Sequence, residues 1–234
     1  MMTGVTSTDP AADTLCRRRF RYPSHEHAKC YTYRHMTNPS KFPLILFLGY
    51  AVLFIILAIN PYSRDVWFAE NLPIFIIALT LFIWHVKGFR FSNISYVLMF
   101  VLLYLHTIGG HFTFERVPFE WFNELFGFER NMYDRVAHFS VGFYAYPLAE
   151  YLRARGLVTR SWLLYFVPLC FIISVAAGYE MIEWWYAASQ GGEAGAAFLG
   201  SQGDIWDAQK DMLMDTLGAV FALGLFAITG RKRN

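Results

Sequence analysis

Charged residues are scarce in this chain, making up 16% of its 234 residues, where a soluble domain carries about a quarter. Cysteine is scarcer still: Cys16, Cys30 and Cys170 are the whole complement. Two fall in the N-terminal 40 residues and one in an apolar run, so no disulfide framework is implied. Neither a glycine-rich phosphate loop nor a dinucleotide fingerprint occurs, which leaves nucleotide chemistry without a motif. No internal repeat is evident, and an inverted-repeat transporter gains no support. The first 40 residues show no cleavable-signal pattern, and the first apolar run, from Pro43, reads as a span.

What the chain has instead is bunched hydrophobicity: 56% of residues are hydrophobic and 19% aromatic, in runs such as 43–59 and 162–179. Runs of about 18 residues without charge read as membrane spans. Six are predicted, at 43–60, 67–86, 94–112, 134–152, 162–183 and 210–229. The expected fold is all-α: a polytopic integral membrane bundle of about six transmembrane helices. It fills residues 42–230, with outer loops at 109–133 and 190–209. Residues 1–41 form a basic tail, expected to be disordered, and 231–234 a basic end. Of the 20 Lys and Arg, 15 fall in the tail, the inner loops and the C-terminus, which predicts that both termini are cytoplasmic. Fourteen of the 18 acids fall on the other side, and an acidic outer face favours cations over anions. Cys16, His25, His27 and Cys30 match no common zinc spacing. The tail is expected to lie against anionic lipid, with no nucleic acid as partner.

Both outer loops have character. The first interleaves Phe119, Phe122 and Phe126 with Glu120 and Glu124, a pattern that suits a short interfacial helix. The second holds five glycines between 190 and 203 and reads as flexible, either a mobile cover over a site or an ordinary loop. Trp67, Trp121, Trp184, Trp185 and Trp206 fall at the outer interface, as an aromatic belt does.

The chemistry lies where three spans meet the outer face. Asp204, Asp207, Asp211 and Asp215 follow one another at steps of three, four and four, so on a helix they form one stripe. Carboxylates stacked beside lipid repel one another and need protons, cationic side chains or a metal ion. The fourth span enters with Asp134 and His138 one turn apart, and the fifth leaves with Glu180 and Glu183 on one face. His111, at the outer end of the third span, is a further candidate. Helices that each offer a carboxylate or histidine at this spacing build metal sites in bundle cores. An oxygen-rich set with one or two histidines suits Mg²⁺, Mn²⁺, Ca²⁺ or Zn²⁺. The plainer account is that Asp134, Asp204 and Asp207 charge helix N-termini, for about 0.3–1 kcal/mol each, while Arg135 and Lys210 form surface ion pairs of little value. That account does not reach Asp211, Asp215 or Glu180, which lie deeper.

At these residues the chain resembles the YjdF-like family of bacterial inner-membrane proteins. The resemblance rests on Tyr133-Asp134-Arg135 with His138, on Glu180-x-x-Glu183-Trp184, and on Gln202-Gly203-Asp204-x-Trp206-Asp207-x-Gln209-x-Asp211-Met212. It spans roughly 42–230 and implies a multi-pass protein of the bacterial inner membrane, without supplying a reaction. A fainter similarity, to VanZ-like membrane proteins, rests on Asp134-Arg135-Val136-Ala137-His138-Phe139 and Asp211-x-x-x-Asp215-x-x-Gly218. That family is linked to glycopeptide-antibiotic resistance, so the similarity implies the outer leaflet and cell wall. Asp215 stands where those proteins often carry asparagine.

The first functional reading is an outward-facing carboxylate and histidine site of a metal-assisted hydrolase or transferase. Its substrate would be a lipid or lipid-linked envelope molecule. Asp134, His138, Glu180, Asp207 and Asp211 are the candidate catalytic residues. Candidate metal ligands are Asp134, His138, Glu180, Glu183, Asp204, Asp207, Asp211 and Asp215. Arg135, Trp184, Trp206 and Gln209 are candidate substrate contacts. No serine or cysteine stands beside the histidine in its motif, which disfavours covalent catalysis by those residues. A cation or proton-coupled transporter is a second reading, and a non-catalytic bundle that binds a partner protein is a third. The oligomeric state stays open.

Overall fold

The computed structural model describes residues 41–230. The N-terminal tail through residue 40, with Cys16, His25, His27 and Cys30, and the basic end 231–234 lie outside the described residues. Among the described residues every regular element is helical: α1 (Phe42–Leu57), α2 (Arg64–Val86), α3 (Asn93–Phe112), α4 (Glu120–Phe126), α5 (Tyr133–Val141), α6 (Ala145–Ala154), α7 (Leu163–Gln190), α8 (Gly192–Leu199) and α9 (Asp207–Gly230). A short 3-10 segment, Gly142–Tyr144, joins α5 to α6.

Four of these helices, α2, α3, α7 and α9, are long and apolar enough to cross a bilayer. Their outward faces invert those of a soluble protein, with Ile76, Phe82, Phe171 and Phe221 exposed. α1 is apolar but only 16 residues long. The fourth expected span is in three pieces, α5, the 3-10 segment and α6. The fifth, expected to end at 183, continues as helix to Gln190, with Glu180 and Glu183 inside that helix. The glycine-rich loop is not open coil either. Residues 192–199 form α8, because Gly195 presses on the backbone of Ala187 and Phe198 packs on Tyr186 with ring centroids 4.2 Å apart. The first outer loop contains the expected short helix, α4, in which Phe122 stacks against Phe119 with centroids 4.7 Å apart.

Local signals explain the helix starts. Pro43 lies in the first turn of α1, where its missing N–H costs nothing. Ser63 and Ser92 cap α2 and α3, accepting from Val66 N–H and Ser95 N–H. Contacts at the two ends of the bundle establish its alternation. At one end His111 bonds the carbonyl of Leu57 at 2.8 Å, and His106 bonds that of Glu70 at 2.8 Å. At the other end Glu150 of α6 accepts from Ser92 N–H (3.0 Å), Ser92 Oγ (2.9 Å) and Ser95 Oγ, seating a carboxylate on the N-terminus of α3. There too Arg153 donates to the carbonyl of Gly230, the last residue of α9.

α9 runs along α5, α6 and α7. Small residues permit the approach: Ala145, Ala149, Ala219 and Ala222 are fully buried, with Phe226 and Ile172 filling the core around them. The closest contact lies at Gly142 and Gly218. A Cβ on Gly142 would land on the backbone of Asp215, Gly218 and Ala219, and one on Gly218 would strike the carbonyl of Phe139. Adding a methyl there must separate the helices. Gly218→Ala is expected to cost about 1–3 kcal/mol, as overpacking does, lowering the thermal midpoint of the detergent-purified protein. Gly224→Ala, on the same helix but facing open space, is expected to be neutral or to gain up to about 1 kcal/mol through helix propensity.

Candidate functional site

The glycine contact brings two polar faces together. α5 carries Asp134, Arg135 and His138 in its first turns, and α9 carries Asp207, Asp211 and Asp215 at steps of four. Arg135 is 3% exposed, and its guanidinium reaches Asp207 Oδ1 at 2.5 Å, Asp204 Oδ2 at 3.4 Å and, more closely still, Asp211 Oδ1. Arg130, in the loop before α5, adds a second guanidinium 2.7 Å from Asp207 Oδ1 and 3.4 Å from Asp204 Oδ2. Lys210 meets Asp204 Oδ2 at 2.7 Å from the solvent side. The outer part of the aspartate stripe is therefore held by cations, which offset a desolvation cost of several kcal/mol per buried ion.

Deeper along the stripe the arrangement changes. His138 is buried and turns Nδ1 toward both carboxylate oxygens of Asp215, at 3.3 Å. Donation from Nδ1 leaves the Nε2 lone pair free, and Nε2 faces Asp134 Oδ1 at 3.6 Å and Asp211 Oδ1 at 3.8 Å. Those separations are too long for hydrogen bonds. One ligand atom each from Asp134, His138 and Asp211 lies within 4.8 Å of the others, the spacing of donors around a single cation. A carboxylate behind a histidine is also the usual support of a metal-ligating imidazole. Glu180, on α7, lies within electrostatic reach of His138, Asp211 and Asp134, and its Oε1 is buried without a hydrogen-bond partner.

Beside this cluster is a cavity of about 110 Å³. Asp134, His138, Asp215 and Glu183 form part of its wall, while Pro73, Ile77, Leu102, Val175 and Phe198 supply apolar surface. Its far side holds a polar group that sequence reasoning missed. Glu70 of α2 accepts from the Tyr179 hydroxyl at 3.0 Å, and its carboxylate lies 3.3 Å from His106 Nε2. The rings of His106 and His138 each pack edgewise on Tyr179, with centroids 6.4 Å away. A signal was available: Glu70-Asn71 and His106-Thr107 interrupt otherwise apolar stretches, and intramembrane polar residues usually face the bundle interior.

Residues 42–232 match a family described as "Predicted membrane protein (DUF2238)". The chain belongs to that family. It is an integral membrane protein that passes the bilayer several times. The inner membrane protein YjdF of Escherichia coli (strain K12) is 34% identical over 191 residues, covering 79% of this chain and 90% of that protein. No solved structure matches the chain. The family region contains the whole cluster, from Glu70 to Asp215.

The expected site residues thus divide. Asp134, His138 and Asp211 converge, Asp215 stands behind the histidine, Glu180 is beside them, and Glu183 lines the cavity. Asp204 and Asp207 face Arg130 and Arg135. Arg135, the expected substrate contact, has its guanidinium on Asp207 and Asp211. Trp184, Trp206 and Gln209 are exposed and not in the cavity wall; on α7 the step from Glu183 to Trp184 rotates the side chain outward. His111 is not among the three converging residues or the cavity wall and is bonded to the carbonyl of Leu57 at the end of α1.

The two kinds of cation pairing have different consequences. Arg135→Gln is expected to destabilise by about 3–5 kcal/mol, because it strands buried carboxylates. Lys210→Gln should cost far less at neutral pH, only the contribution of one exposed pair; chemical unfolding in detergent separates the two. Asp204 lies before α9, outside the spans, and the Lys210 hydrogen bond, then the Trp206 N–H, hold its carboxyl below the ordinary carboxylate range. Its stabilising contribution is full above the unfolded value of about 4 and fades as pH falls through the lower folded value. Thermal midpoints measured from about pH 5 to about pH 3 should therefore fall less in Lys210→Gln than in the wild type.

Proposed function

We propose that the protein is a divalent-metal-dependent hydrolase or transferase of the bacterial inner membrane, acting at the outer leaflet on a lipid or lipid-linked envelope substrate. The support is the arrangement of His138. Asp215 holds Nδ1, while Nε2 shares with Asp134 and Asp211 a space sized for an ion. A divalent ion bound there supplies Lewis acidity to a phosphoryl or acyl oxygen and makes water acidic enough to react near neutral pH. Asp134, His138 and Asp211 are its ligands, Asp215 fixes the imidazole, and Arg135 fixes Asp211. Glu180, with a buried oxygen that lacks a partner, accepts the proton of the attacking water or alcohol.

In this reading the chain crosses the membrane six times, α1 and the α5–α6 run being the two additional spans. Both termini are cytoplasmic and the aspartate end faces outward. The alternation of the helices supports it, as does the basic group Lys87, Arg90, Arg153 and Arg155 at the opposite end. The placement in the inner membrane follows the name of the Escherichia coli relative. A transport path is less well supported, because Glu150, the acid of the opposite end, is engaged in capping α3.

A second reading, in which the acids and His138 only lock the bundle, draws on the ion pairs of Arg130 and Arg135. Metal content by mass spectrometry separates the two. The purified wild type is expected to carry roughly one divalent ion per chain, and Asp134→Asn and Asp211→Asn to lose it while remaining folded. A wild type as metal-free as both variants after supplementation sinks the enzyme reading and leaves the structural lock.

A further inference from the structure

We infer that the cavity binds an ammonium group carried on a short apolar chain, the charged group seated against Glu183 and Glu70. The inference rests on the metal reading, in which Asp134 and Asp211 belong to the ion and leave these two glutamates to the ligand. Glu183 is 9% exposed, lines the cavity and accepts no hydrogen bond among the described residues. Across the cavity Glu70 carries the Tyr179 hydroxyl on one oxygen, with His106 Nε2 nearby and bonded to the Glu70 backbone carbonyl. Arg135 and Lys210 are committed to Asp204, Asp207 and Asp211. Arg130 meets Asp204 and Asp207 through Nη1 while its Nε and Nη2 lack partners among the described residues, and no arginine or lysine is in the described cavity wall. The wall therefore offers carboxylate acceptors with no lysine or arginine among its described residues to match them, its two histidines facing Glu70 and the Asp134, Asp211 and Asp215 group. A buried carboxylate without a partner is costly, and a donor or cation entering with the ligand removes that cost. An anionic head group would meet repulsion from the same two residues.

The remaining wall, Pro73, Ile77, Leu102, Val175 and Phe198, selects for hydrocarbon beside the charge. The volume of about 110 Å³ is somewhat below the roughly 150 Å³ of an apolar cavity that takes benzene, so a head group with a few carbons fits. The ammonium could come from a free amine or from the head group of an amino lipid, and the chemistry of recognition is the same.

The test uses the full-length protein in phosphatidylglycerol nanodiscs, with n-butylamine, n-butanol and butyrate as probes followed by ligand-observed NMR. Butylamine is expected to bind about ten-fold more tightly than butanol, as a charged hydrogen bond in a buried site provides, and butyrate not to bind. Glu183→Gln should reduce the amine to the level of the alcohol, while Glu120→Gln, on an exposed helix, should change nothing. Loss of butylamine binding when phosphatidylethanolamine replaces part of the lipid would support the inference with an amino lipid as the source. Unchanged binding would support it with a free amine. A protein that holds its metal ion yet shows no preference for the amine overturns the inference and leaves the metal reading standing. Amine preference without any ion removes the metal reading alone. A preference that survives Glu183→Gln overturns the assignment, and if that variant does not fold, the wild-type comparison still decides.

Discussion

The contact between Gly142 and Gly218 is the constraint on which the rest of the site depends. With no side chain at either position, the backbone of the α5–α6 segment rests directly on that of α9, and one turn above this point the two helices can be no farther apart than their polar side chains allow. That proximity would ordinarily be opposed by charge, since Asp134 on one helix faces Asp211 and Asp215 on the other. It is made tolerable by Arg135, which reaches across from α5 to two aspartates of α9, while His138 donates from Nδ1 to Asp215. Steric permission and charge compensation act at successive turns of the same helix pair, and neither suffices alone.

The polar interior is therefore graded with depth. Near the surface, arginines and a lysine pair with Asp204 and Asp207 in the manner of a structural clasp. Below it, carboxylates and histidine approach one another at distances that suit a shared ion more than hydrogen bonds. Beyond lies a cavity with acids on both sides and hydrocarbon between them. The order along the helix pair is guanidinium pairing, then the carboxylate and histidine group, then a cavity of mixed lining. The low dielectric of the surroundings strengthens each of these interactions and raises the cost of leaving any group unpaired.

The opposite end of the bundle shows what polar residues do when they serve architecture alone. Glu150 is also a buried acid on a membrane-type helix, yet its oxygens accept from Ser92 and Ser95 at a helix N-terminus. Arg153 likewise closes the C-terminus of α9 while stacking on Phe226. The two ends differ in how their acids are satisfied: Glu150 accepts several bonds, whereas Glu180 Oε1 is buried without one among the described residues.

By itself the sequence determined the membrane class, the all-helical character and the aspartate stripe, because span length and helical periodicity are local properties of the chain. It also located the pairs Asp134 with His138 and Glu180 with Glu183, each one turn apart. The helix at 192–199 was not legible, since its order comes from Gly195 and Phe198 packing on α7, not from its own glycine-rich composition. Nor could the pattern tell that Arg135 turns inward, that Trp184 and Gln209 turn outward, or that Glu70, His106 and Tyr179 meet across a cavity. Those outcomes depend on which helices are neighbours and how far each is rotated about its axis. Such facts arise from packing between segments distant in the chain, and only the tertiary structure decided them.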